Sequence, residues 1–203
     1  VDTVMIISNS MKKSIPNIVI IPDNYFTQKD GFAVLYLLHG ADGSYTDWLS
    51  KVPVIKEYAD RYKIIIVCPD GGTNSWYFDS PIDNKMKYET YITKELISTI
   101  DKQYNTLAKN TSRAITGLSM GGHGAFYLAF KHPNIWGAAG SMSGGVDIRP
   151  FPNNWDIHKR LGRYSNHKDN WEKNTVINMV DMLSGKNLKL IFDCGVDDFF
   201  FNA

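Results

Sequence analysis

Ala114-Ile115-Thr116-Gly117-Leu118-Ser119-Met120-Gly121-Gly122-His123-Gly124-Ala125-Phe126 is the stretch on which the fold turns. It opens on a short β-branched run, bends at a serine set among glycines, and continues with Ala125, Leu128 and Ala129 at helical spacing. The helix must stop near His132, because Pro133 disfavours helix at the residue before it. A strand that breaks this tightly into a helix lifts the residue at the bend above the sheet edge. Gly117 and Gly121 keep side chains out of the bend, so Ser119 Oγ is a candidate nucleophile. The Met120 amide opens the helix and points at the same place, with the helix dipole behind it. It is a candidate donor to a developing oxyanion. The bland alternative is a glycine-rich turn with an incidental serine, and the strand–turn–helix context weighs against it.

Outward from this stretch the chain alternates. Short β-branched runs at 18–21, 33–38, 64–67, 114–115 and 188–192 read as buried strands, and 4–7 reads as an edge strand. Between them lie segments of helical period. One starts with Pro53 at its first position and carries Val54, Ile55, Tyr58, Ala59 and Tyr62 on one face. A second carries Tyr88, Tyr91, Ile92, Leu96, Thr99 and Ile100. A third is capped by Asn174, carries Val176, Val180 and Leu183, and ends before Gly185. Strands alternating with helices predict an α/β domain with a mostly parallel sheet flanked by helices. The short link between the first two strands predicts that those two are antiparallel. Function then collects at the carboxyl ends of the strands. The stretch 147–170 fits neither pattern and holds Phe151, Trp155 and Tyr164. It reads as a surface excursion packed by its own aromatics, the preferred reading, or as a small lid insertion.

Composition narrows the function classes. Lys and Arg number 22 against 21 Asp and Glu, a net charge of +1, so no field draws the chain to nucleic acid or an anionic membrane. No apolar run approaches the ~20 residues that span a bilayer. Cys68 and Cys194 cannot form a disulfide framework, and no Cys or His cluster has metal-ligand spacing. Gly121-Gly122-His123-Gly124 lacks the lysine of a phosphate loop. No cofactor and no metal are expected. The chain starts at Val1 without a visible leader pattern, which leaves the compartment open, with secreted or periplasmic preferred.

Two further stretches bear on the serine. Leu37-Leu38-His39-Gly40-Ala41 ends a strand in a glycine that lets backbone approach a ligand. In the arrangement that puts a serine on such a bend, this loop lies beside it, so the Ala41 amide is the second candidate oxyanion donor. His39 is read as a brace for the loop, since the triad order in this arrangement is serine, acid, histidine. Asp193-Cys194-Gly195-Val196-Asp197-Asp198 follows the last strand, downstream of the serine. A carboxylate there fits the acid that orients an imidazole. Asp198 is the first choice, Asp197 the second and Asp193 the third; a solvated acidic turn is the alternative.

These pieces resemble the esterase D branch of the α/β-hydrolases, which includes feruloyl, acetyl and tributyrin esterases and the mycolyltransferases. The matching motifs are Tyr36-Leu37-Leu38-His39-Gly40 with Asp47-Trp48, Pro69-Asp70-Gly71-Gly72 with Asn74-Ser75-Trp76-Tyr77, Gly117 to Gly122 with Gly124-Ala125, and Cys194-Gly195 with Asp198-Phe199. They run in order along nearly the whole chain. The resemblance implies an α/β-hydrolase fold with Ser119 as nucleophile, Asp198 as acid, Ala41 and Met120 as oxyanion hole, and Trp76 near the substrate. It implies a serine ester hydrolase for short acyl esters, or for acyl and feruloyl groups on carbohydrate. The alternatives are an acyltransferase to a sugar hydroxyl, or a binding module that has lost the histidine.

The resemblance also places a catalytic histidine after Asp198, beyond a further helix and strand. Only five residues follow Asp198, and His39, His123, His132, His158 and His167 all precede it. The expectation is therefore a single domain over 1–203 that lacks its C-terminal strand and helix and is nearly inactive alone. Its exposed edge leaves room for a homo-oligomer.

Overall fold

The structure is a computed structural model describing residues 1–201. Seven strands form one sheet: β1 (Asp2–Ser8), β2 (Lys13–Ile20), β3 (Ala33–Leu38), β4 (Ile64–Pro69), β5 (Arg113–Leu118), β6 (Ala138–Met142) and β7 (Lys189–Asp193). Their spatial order is β1-β2-β4-β3-β5-β6-β7. β1 pairs antiparallel with β2, and β2 antiparallel with β4. From β4 to β7 every pairing is parallel, so the loops that follow β3, β4, β5, β6 and β7 all emerge at one edge.

The helices are α1 (Asp47–Lys51), α2 (Ile55–Tyr62), α3 (Tyr88–Thr90), α4 (Ile97–Gln103), α5 (Met120–Lys131), α6 (Ile157–Leu161) and α7 (Lys168–Asn174). A π-helical stretch, Tyr91–Leu96, joins α3 to α4. Alternate residues of the central strands feed two cores. Tyr36, Leu38, Ile65 and Val67 pack with Ala125, Leu128 and Ile92 on one face. Leu37, Ile66 and Cys68 pack with Ile55 and Ala59 on the other. Both faces of β3 and β4 are thus dry, which is why their sequences are continuous apolar runs.

The structure departs from the sequence reading in four places. Pro53 lies in the turn between α1 and α2 rather than opening a helix, and only Ile55 and Ala59 of the expected face are buried. Asn174 ends α7 instead of capping the next helix; Thr175 precedes the 3-10 helix Val176–Leu183. β6 carries no strand signature in the sequence, because Ala138-Ala139-Gly140-Ser141-Met142 holds no β-branched residue. It needs small residues: a Cβ on Gly140 would lie 2.5 Å from Thr116 Oγ1. Finally, β7 is an edge strand among the described residues and not a buried one, with Ile191 and Phe192 74% and 76% exposed.

Candidate active site

Ser119 stands between the end of β5 and the start of α5 at φ 56°, ψ −116°. A non-glycine residue held in this region costs on the order of 1–3 kcal/mol, which its surroundings must offset. They do so through two backbone bonds. The Ser119 N–H donates to Met142 O on β6 (2.9 Å), and its carbonyl accepts the His123 N–H (3.0 Å). Gly117 and Gly121 are glycines for steric reasons. A Cβ on Gly117 would lie 2.5 Å from Gly121 O, and one on Gly121 would lie 2.5 Å from Leu38 O. Since those obstacles are backbone, Gly121→Ala must push α5 off β3. We expect a loss of about 3 kcal/mol in urea unfolding, the upper part of the range for overpacking.

The loop after β3 is pinned against this bend. A Cβ on Gly40 would lie 3.3 Å from Leu118 O and 3.5 Å from Ser119 Cβ. His39 braces the loop, as read from sequence: Nε2 accepts the Gly71 N–H (2.8 Å), so Nδ1 carries the proton and donates to Gly40 O (2.7 Å). Burial lowers its pKa, in keeping with a neutral ring. Trp48 Nε1 donates to Leu38 O and Tyr77 Oη to His39 O, both at 3.0 Å. Among the described residues, the amides of Ala41 and Met120 donate to no protein group. Both therefore remain available to an oxyanion.

His39, Gly40, Ala41, Trp48, Leu118, Ser119 and Trp155 line a common cavity of about 390 Å³, together with Asp42, Asp47 and Lys51. Trp76 does not line it. That residue is 1% exposed, its backbone N–H donates to Met120 Sδ (3.3 Å), and its indole Nε1 donates to Trp155 O (3.1 Å). Asp198 sits in the turn after β7, where Oδ1 accepts the Phe200 N–H (2.9 Å). None of Asp193, Asp197 and Asp198 lines the Ser119 cavity. The histidines are accounted for elsewhere. His123 is buried with Nδ1 on Gly145 O (2.9 Å), His132 bonds Glu89 Oε1 (2.8 Å), His158 lines a separate cleft, and His167 packs against Gly162. Among the described residues no three His, Cys, Asp or Glu side chains gather as metal ligands would.

The model of the Esterase family matches residues 8–203. The chain belongs to this family. It is 35% identical over 138 residues to an esterase of Mycobacterium tuberculosis, covering 64% of this chain and 29% of that protein. It is 31% identical over 180 residues to the diacylglycerol acyltransferase/mycolyltransferase Ag85A of the same organism, covering 79% of this chain and 52% of the relative. The chain therefore spans about half or less of the length of these relatives. The substrate-bound structure of the fluorophosphonate-binding serine hydrolase F of Staphylococcus aureus superposes with a TM-score of 0.84 at 20% identity, over 99% of this chain and 81% of that one. The fold is that of the α/β-hydrolases.

One helical turn past the serine, this Esterase-family chain carries a buried titratable group. His123 is packed among Trp76, Phe78 and Tyr127, and burial pushes its pKa down to about 4 from 6.5. The folded state keeps the ring neutral while the unfolded chain protonates. Stability should therefore fall as pH drops from 6.5 to about 4, by about 3 kcal/mol. Urea midpoints at pH 7 and 4.5 measure this, and His123→Phe should flatten the difference.

Proposed function

We propose that the chain is the nucleophile-bearing body of a serine carboxylic-ester hydrolase that works through an acyl-enzyme. The observation that carries this is Ser119, held at φ 56° on the β5–α5 bend and lining one cavity with the Ala41 loop. Ser119 Oγ attacks the acyl carbonyl and gives up its proton to a base. The oxyanion takes the amides of Ala41 and Met120, and the alcohol leaves with that proton. Water then attacks the acyl-serine by the reverse proton route. Asp198 is assigned as the acid that orients the base. Because His39 is the one histidine that lines the Ser119 cavity, and its two ring nitrogens are engaged by Gly71 N–H and Gly40 O, the base is assigned to an imidazole from outside these 203 residues. The cavity's size, with Trp48 and Trp155 on its wall, suits short acyl esters and acyl or feruloyl groups carried on carbohydrate. Hydrolysis of p-nitrophenyl acetate and butyrate by the complete gene product, with Ser119→Ala alongside, tests the reading. Turnover that survives the substitution contradicts it.

A second reading, transfer of the acyl group to an acceptor hydroxyl, is favoured by the likeness to the mycolyltransferase. It predicts an acylated product when a sugar alcohol is added, at the expense of free acid.

A further inference from the structure

Trp155 belongs to 147–170, the stretch without a clear pattern in the sequence, and it is placed at a junction. Trp155 and Asp156 are adjacent non-glycine residues with φ of 44° and 56°, a backbone that surrounding contacts must impose. One such contact is the Trp76 Nε1 bond to Trp155 O (3.1 Å); Trp76 in turn donates its N–H to the sulfur of Met120, the residue after Ser119. Trp155 is also one of the residues that line the Ser119 cavity. The ring also lies stacked on Phe199 at 5.6 Å and 21°, with Phe200 at 5.5 Å. Those phenylalanines directly follow Asp198, whose carboxylate accepts the Phe200 N–H. A single residue therefore touches the cavity of the serine and the turn of the acid.

We propose that Trp155 is a specificity and positioning residue: its ring walls the acyl cavity, and its stack on Phe199 and Phe200 holds the Asp198 turn in register with Ser119. The specificity half rests on the esterase reading; the positioning half does not. The stretch 147–170 is then a working part of the site and not surface packing.

Two readouts separate the halves. Amide hydrogen exchange of 195–201 reports on the turn without any turnover. It should quicken about three- to tenfold in Trp155→Ala and in Phe199→Ala, the range an aromatic pair contributes, and change less than about twofold in Trp155→Phe. Relative rates on p-nitrophenyl acetate, butyrate and octanoate by the complete gene product report on the wall. Both Trp155 variants should shift preference towards longer acyl groups by about tenfold, and Phe199→Ala should not. Phe199 is 61% exposed, so that variant and Trp155→Phe carry the test if Trp155→Ala does not fold. Unchanged exchange in the Ala variants overturns the positioning half. Unchanged acyl preference in both Trp155 variants overturns the specificity half. Absence of Ser119-dependent turnover in the parent overturns the esterase reading and the specificity half with it, while exchange still decides the positioning.

Discussion

Replacing Ser119 with alanine should remove about six orders of magnitude from kcat in the complete gene product, the loss seen when a triad nucleophile is deleted. At 1.36 kcal/mol per decade this is roughly 8 kcal/mol of barrier. The protein should nevertheless remain folded. Ser119 makes its structural bonds through backbone N–H and C=O, and both survive the substitution. Ser119→Gly sharpens the point. It removes the Cβ from a residue at φ 56°, so its melting temperature should equal or exceed that of the parent while activity is lost. Turnover of p-nitrophenyl butyrate beside a thermal melt checks both statements. A variant that loses activity only because it unfolds would show the opposite thermal change.

Glu89 is expected to give the largest effect on stability. It is 9% exposed, and its carboxylate joins the α3 segment to α5. Oε2 accepts from Tyr127 Oη (2.6 Å) and Lys131 Nζ (2.7 Å), and Oε1 pairs with His132 Nε2 (2.8 Å). Glu89→Ala would take the carboxylate away from the part-buried Lys131 ammonium and His132 ring and leave the buried Tyr127 hydroxyl only Asn174 and Lys131. We expect about 3–5 kcal/mol of destabilisation, as for breaking other buried pairs. Because α5 carries Met120 at its first position, the same change should slow Ser119 chemistry. Burial alone would raise the carboxyl pKa, but the bonds from His132, Lys131 and Tyr127 outweigh it and bring it down to about 2 from 4.5. The stabilisation is therefore complete above pH 4.5 and is lost as pH falls towards 2. Urea midpoints at pH 5.5 and 3 should differ in the parent and less so in Glu89→Gln. The window overlaps that of His123 between pH 4 and 4.5, and the His123 share of the difference is common to both proteins, so the Glu89 share is the part that Glu89→Gln removes.

The bend at Ser119 was legible because local chemistry alone dictates it: glycines where a Cβ would strike backbone, and a strand run leading into a helix. The same holds for β3 and β4, whose double-sided burial writes itself as unbroken apolar runs. β6 was invisible because its residues are small to fit against Thr116, which erases the strand signature. β7 reads from its composition as buried, yet it is exposed, since burial depends on what lies next to a strand and not on the strand. Ala41 and Met120 could be nominated as amide donors from sequence because the motif concerns backbone, and neither amide is spent on a protein acceptor among the described residues. Trp76 and Trp155 show the limit. Both are tryptophans in loops, and only the fold decides that Trp76 is packed behind Met120 while Trp155 meets the cavity. The left-handed backbone at Trp155 and Asp156 leaves no trace in residue type.

The most direct measurement is to treat the complete gene product with a p-nitrophenyl alkylphosphonate and locate the adduct by peptide mass spectrometry. A serine nucleophile displaces p-nitrophenolate and keeps the phosphonyl group, so one equivalent should be found on the peptide containing Gly117 to Gly122, at Ser119. Labelling that falls on another residue, or a protein that hydrolyses esters and never carries the group on Ser119, would contradict the account.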